Sequence, residues 1–161
     1  MRRTGNITAF FGAADVFSNW HPCSFTYHDV TFNCVEQFMM YSKALLFDDR
    51  ATAEAILAST SPREQKRLGR SVRGFDEARW LKVREPIVFV GCREKFRQNE
   101  AFATVLRATG STILVEASLY DRVWGVGLGE HDPRIGDPSA WQGLNLQGNA
   151  LMRVRDVLSR S

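Results

Sequence analysis

Apolar positions along this chain recur with a helical period in most segments and with a strand period in few. Ser24-Phe25-Thr26-Tyr27 and Val30-Thr31-Phe32, joined by His28-Asp29, alternate as a short hairpin does. Asn33 stands where a helix N-cap belongs, with Glu36 three residues on in a capping-box pattern. The helix so started runs through Phe38, Met39, Tyr41, Ala44 and Leu45. Asp48 or Asp49 begins a second helix through Ile56 and Leu57, and Ser61-Pro62-Arg63-Glu64 begins a third that ends near Gly69. Asp76 opens the longest, with Leu81, Val88, Cys92 and Phe96 at core-like spacing, and Pro86 is expected to kink or split it. Asn99 caps a helix through Phe102, Val105 and Leu106 that Thr109-Gly110 terminates. Residues 112–117 read as the best strand, and 125–143 have no regular period. A last helix presents Ala150, Leu151, Val154 and Leu158 on one face.

These elements describe a mainly helical α+β fold with a small sheet or hairpin, expected as a single domain over residues 1–161. No repeat, linker or low-complexity segment interrupts it. Hydrophobic residues at 44% and charged residues at 24% suit a soluble globular chain. Nothing near Met1 reads as a signal peptide, and no apolar run is long enough to span a bilayer. Three cysteines, Cys23, Cys34 and Cys92, show no paired spacing, so the expected setting is reducing and cytoplasmic. Of 21 basic residues 17 are Arg, and 11 of the 21 fall between Arg63 and Arg97. That density fits either an anionic partner or a solvated helix face interspersed with Glu64, Glu77, Glu85 and Glu94.

A second group of residues is not required by any folding argument. It comprises Ser18-Asn19-Trp20, then Glu36 and Lys43, then Asp121-Arg122-Val123-Trp124-Gly125-Val126-Gly127, then the run from Trp141 to Gly148. Trp beside Gly offers a flat apolar face next to closely approachable backbone. Amides, carboxylates and an amine at element ends suit a ligand with a flat ring and hydroxyls or phosphates. Glu36 and Lys43 are two turns apart on nearly one helix face. Each also has an ordinary reading: Glu36 as part of a capping box, Lys43 as a snorkelling surface lysine, Asp121 as a turn-former, Trp80 and Trp124 as partly buried core, Asn145 as an N-cap. His21, Cys23, His28 and Cys34 match no common zinc spacing. Gly125-Val126-Gly127-Leu128-Gly129 is neither a dinucleotide fingerprint nor a phosphate loop. No cofactor is implied.

Six segments in series resemble one family: Ser18-Asn19-Trp20-His21-Pro22, residues 35–44, Leu68-Gly69-Arg70, residues 114–118, residues 121–127 and residues 141–152. They resemble the YbiA-like, or NADAR, family over nearly the whole chain. The resemblance implies an N-glycosidase whose substrate is a small nucleotide-like molecule, either a ribosylamino-pyrimidine phosphate of early riboflavin synthesis or ADP-ribosylated guanine, the latter including modified nucleic acid. It implies catalytic roles for Lys43 as nucleophile or electrostatic partner, Glu36 as acid/base and Asp121 as the residue that orients sugar hydroxyls or water. Trp80 and Trp124 would stack on the base or wall the sugar, while Ser18, Asn19, Arg70, Gly125 and Asn145 would contact the rest of the substrate. The stretch from His131 to Ala140 departs from the family pattern and would shape substrate choice. Two other classes are a non-catalytic ADP-ribose or nucleotide binding module and a nucleic-acid binder that uses the Arg-rich segment.

Overall fold

The computed structural model describes residues 1–161 and builds them, in chain order, as β1 (Arg2–Thr4), β2 (Ile7–Phe10), β3 (Phe25–Tyr27), β4 (Val30–Phe32), α1 (Val35–Leu46), α2 (Arg50–Ala58), α3 (Pro62–Arg70), α4 (Glu77–Arg97), α5 (Glu100–Ala108), β5 (Ile113–Glu116) and α6 (Leu146–Ser159). Two single turns of 3-10 helix, Pro133–Gly136 and Pro138–Ala140, break up the long aperiodic stretch. The fold is therefore α+β and mainly helical, as expected. The chain divides into two compact units: Met1–His21 with Glu100–Ser161, and Pro22–Asn99.

In the first unit β2 lies between an antiparallel β1 and a parallel β5, in the order β1-β2-β5. Ile7 through Phe10 are all buried, and strands covered on both faces lose the alternation that marks a half-exposed strand. That is why no strand is legible in residues 7–10. One face of the sheet packs Ile7, Ala9, Val115 and Ala117 against Val126, Leu128 and Ile135. α6 packs on β5 and buries Leu151 and Val154. A buried polar chain also holds this unit: Arg155 donates to Thr109 Oγ1 at 2.8 Å, and the Thr8 and Thr112 hydroxyls meet at 2.8 Å.

In the second unit β3 and β4 form the expected hairpin, with Phe25 opposite Phe32. His28 and Asp29 both take left-handed backbone, as the tight turn requires. Phe38 of α1 reaches the hairpin, its ring 5.8 Å from Phe25 and 5.1 Å from Phe32. α1 packs against α2, α3 and α4, so the helix that carries Glu36 and Lys43 is the centre of this unit.

Several expectations need correction. The α1 N-cap is Cys34, not Asn33: its Sγ accepts the Gln37 N–H, and the side chain that reaches back to the Asn33 N–H, at 2.7 Å, is Gln37. Glu36 is thereby released from the capping box. Pro86 does not split α4, which is continuous over 21 residues; Pro86 and Lys82 are exposed, so water can take the carbonyl that the proline leaves unserved. Leu81 is not core but 45% exposed. Asn99 precedes α5, but its amide donates to the Lys95 and Ser24 carbonyls. Asn145 occupies the N-cap position of α6 in left-handed conformation without a side-chain capping bond.

Asp49 caps α2 and joins it to the turn after α3. It accepts from Thr52 N–H at 3.2 Å and Thr52 Oγ1 at 2.6 Å, and from Arg73 N–H at 2.9 Å. The Arg73 amide, then the Thr52 hydroxyl, lowers its carboxyl from 3.8 to about 2. A lowered folded value means stabilisation that is complete above 3.8 and lost as pH falls toward about 2. Asp49→Asn is therefore expected to melt below wild type at neutral pH and to converge with it near pH 2. Thermal melts followed by circular dichroism check this; a gap that stays constant down to that pH contradicts it.

Candidate functional site

A buried amide network fixes the first turn of α1. Gln37, 1% exposed, donates to the carbonyls of Ile56, Leu57 and Ser59. Gln65, fully buried, accepts from Cys34 Sγ at 3.1 Å and donates to Asn33 Oδ1 and the Ser59 carbonyl. These bonds pin α1 to the end of α2 and to α3, so its side chains project from a rigid base. Burial pushes the Cys34 thiol up to about 12, so it is no nucleophile near neutrality.

Glu36 follows at once and is only 4% exposed. Two turns on, Lys43 is half-buried, and its ammonium lies against two rings, 4.6 Å from the Phe75 centroid and 5.4 Å from that of Trp80. Burial lowers the Lys43 pKa first, the Arg70 guanidinium lowers it further, and the Glu36 carboxylate opposes both. Met40, one turn before, is buried beneath Gly69 of α3. Arg70, the last residue of α3, is exposed, and the neighbouring ion pairs leave it out: Arg67 goes to Glu64 and Arg73 to Asp49. One unit thus gathers Glu36, Lys43, Arg70 and Trp80, all of them named from sequence. The combination of a desolvated amine, a carboxylate on the same helix, an uncommitted guanidinium and aromatic faces is chemically suited to a phosphorylated ligand with a flat ring.

The other unit holds the remaining sequence-named residues, each tied into local structure. Asp121 Oδ1 accepts from the Val123 and Trp124 N–H groups at 2.9 and 2.8 Å, which makes it the turn-former; its second oxygen has no protein donor. Residues 121–127 are laced to 142–147: Val123 O accepts from Leu146 N–H, Trp124 O from Gln147 N–H and Gly125 O from Asn145 N–H. The first amides of α6 are therefore satisfied by this loop and not held open for an anion. Asn145 is 1% exposed; its Oδ1 accepts from Glu116 N–H and its Nδ2 donates to Leu114 O. Gly125 is buried where a Cβ would sit 2.9 Å from the carbonyls of Asp121 and Glu116, so packing demands the glycine. Trp124 is half-buried. Ser18 Oγ accepts the Trp20 N–H at 3.1 Å, and Ser18 and Asn19 are buried at 6% and 7%.

Sequence reasoning missed Phe75 and Phe47. Phe75 directly precedes the α4 N-cap Asp76, and Trp80 is the fourth helical residue. Those are the two positions of a hydrophobic staple, a signal that was available in the sequence.

The fold is mainly helical α+β, and the helix at the centre of its second unit carries a half-buried lysine two turns from a buried glutamate. The chain belongs to the NADAR domain family, whose model matches residues 9–159. It is 38% identical to Protein irg-1 of Caenorhabditis elegans, over 97% of this chain and 81% of that protein. It is 36% identical to an N-glycosidase of Acanthamoeba polyphaga mimivirus, over 88% of this chain and 86% of the viral protein. Among solved structures, that of the Escherichia coli protein YbiA matches with a TM-score of 0.78 at 27% identity, covering 96% of this chain and 85% of YbiA.

Proposed function

We propose that this chain is an N-glycosidase that hydrolyses the bond between a planar base and a phosphorylated ribose. The observation that carries the reading is Lys43: a half-buried amine held against two rings, with Glu36 on its own helix. Burial lowers the Lys43 pKa first, and the Arg70 guanidinium lowers it further. N-glycosidase activity in relatives supports the reaction class. In the proposed sequence the neutral Lys43 Nζ attacks the anomeric carbon and the carbon–nitrogen bond to the base breaks. The bond from that carbon to the ring oxygen then opens, the oxygen takes a proton given up by the amine, and an open-chain Schiff base is left. Glu36 supplies the proton that the departing nitrogen needs. Water then hydrolyses the Schiff base, which releases the sugar and regenerates the amine, so the net reaction consumes one water. Arg70 is assigned the phosphate; the role for Asp121, orienting sugar hydroxyls or water, is proposed on the family resemblance alone. Trp80 is assigned to wall the sugar, and the substrate contacts of Trp124, Ser18 and Asn19 are likewise proposed on the family resemblance alone. Gly125 and Asn145 act by holding the loop and α6 in place.

The substrate is a ribosylamino-pyrimidine phosphate or an ADP-ribosylated guanine; both present a base on a phosphorylated ribose. The test is a product assay on each, with one arm containing borohydride. Free base from the ribosylamino-pyrimidine phosphate, or free ADP-ribose from the modified guanine, released by wild type is the expected result and names the substrate. A borohydride-trapped adduct on Lys43 establishes the Schiff base. No product from either substrate with folded protein overturns the reading and favours a binding module.

A further inference from the structure

Phe75 is a large apolar residue that remains 47% exposed. It lies on the connection between α3 and α4, and its backbone is held from both sides. Gly74 before it turns the chain through a φ of +75°, and Asp76 after it caps α4 with its side chain on the Arg79 N–H. Phe47, from the end of α1, meets the ring edge-on at 5.4 Å, and the Arg79 guanidinium lies 5.4 Å over Phe47 in turn. Lys43 Nζ rests 4.6 Å from the Phe75 centroid. Rings and cations therefore form one contiguous series, from Trp80 through Lys43, Phe75 and Phe47 to Arg79.

An exposed ring contributes little to a core, and this one is positioned more firmly than an incidental surface residue needs to be. Its open surface is adjacent to the amine assigned to the anomeric carbon. A base bonded to that carbon must lie within one bond of it, so its plane falls within reach of the same ring. Trp80 is more enclosed than Phe75 and offers less free face. The arrangement suits a flat heterocycle, which stacks on an aromatic face whatever its hydrogen-bonding pattern.

We propose that Phe75 is the platform on which the base of the substrate stacks, and so the residue through which the site selects a ligand carrying a flat ring over a bare sugar phosphate. The proposal rests on the glycosidase reading for its choice of reacting carbon.

The experiment compares binding of guanosine 5′-monophosphate and ribose 5-phosphate by titration calorimetry to wild type, Phe75→Ala and Phe75→Tyr. Wild type is expected to prefer the nucleotide, Phe75→Ala to lose roughly 5- to 100-fold of that preference, and Phe75→Tyr to keep most of it. Ribose 5-phosphate should bind all three alike. A staple that only steadies α4 would weaken both ligands together or neither. A wild type without preference, or a Phe75→Ala variant that keeps it, overturns the proposal. Turnover of the ribosylamino-pyrimidine phosphate and of ADP-ribosylated guanine by wild type is measured alongside. Turnover with a preference unaffected by Phe75→Ala sinks the platform alone; a preference that depends on Phe75 without turnover sinks the catalytic reading and leaves the platform.

Discussion

Lys43→Ala is expected to lose turnover by on the order of 10³-fold or more while the protein stays folded. The size follows from the role: an amine that forms the covalent intermediate has no substitute once removed, and water must then attack without the Schiff-base route. The fold should survive because Lys43 is half-buried near the end of α1, ends in two ring contacts and no ion pair, and is replaced by a stronger helix former. Lys43→Arg separates the two roles open to this residue. Arginine keeps the positive charge but stays protonated and cannot act as a nucleophile. Loss of turnover in both variants points to covalent catalysis, whereas substantial activity in Lys43→Arg would reduce the lysine to an electrostatic partner. The pH profile adds a third check. Because burial and Arg70 both favour the neutral amine, the rise of rate with pH should be centred below the ordinary lysine value of 10.5.

Gly148→Ala is expected to destabilise the protein by about 3 kcal/mol or more, against the stabilisation of about 1 kcal/mol that helix propensity alone would assign. Gly148 lies in the first turn of α6, where that helix crosses β5. A Cβ there would be driven into the backbone carbonyl oxygen of Leu114 and would stand 2.5 and 2.6 Å from the two amide atoms of Asn145. Neither neighbour can yield cheaply. The Leu114 carbonyl belongs to a paired strand, and the Asn145 amide bonds both Leu114 O and Glu116 N–H. Thermal unfolding should show a fall of roughly 6 to 12 °C. A melting temperature equal to or above that of wild type would mean that α6 does not approach β5 as closely as described.

Helices were the legible part of the fold because their signals are local. Ser61-Pro62 and Asp76 mark two starts within a few residues, and both caps form, on Glu64 N–H and Arg79 N–H. The misreadings came where two local signals competed or none existed. Asn33 and Cys34 are adjacent candidates for one cap, and hydrogen bonding favours Asn. Cys34 prevails because its thiol can be buried against Gln65 while Gln37 serves Asn33. Phe75 escaped notice because it belongs to no periodic segment.

The candidate site divides along the same line. Glu36 and Lys43 could be placed on one helix face from their spacing, and Asp121 at a turn from its position after a strand. Whether Glu36 was spent on a cap could not be read, since that depends on a one-residue shift in where α1 begins.

The sequence by itself determined which segments are helical, where most of them start, and which polar residues lack a folding role; these follow from contacts between residues a few positions apart. Tertiary structure alone decided that Ile7 pairs with Ile113, that the Asn145 amide serves β5, and that Phe75 meets Lys43. Each of these depends on burial and packing between distant segments, and no local propensity encodes which distant surface a side chain will meet.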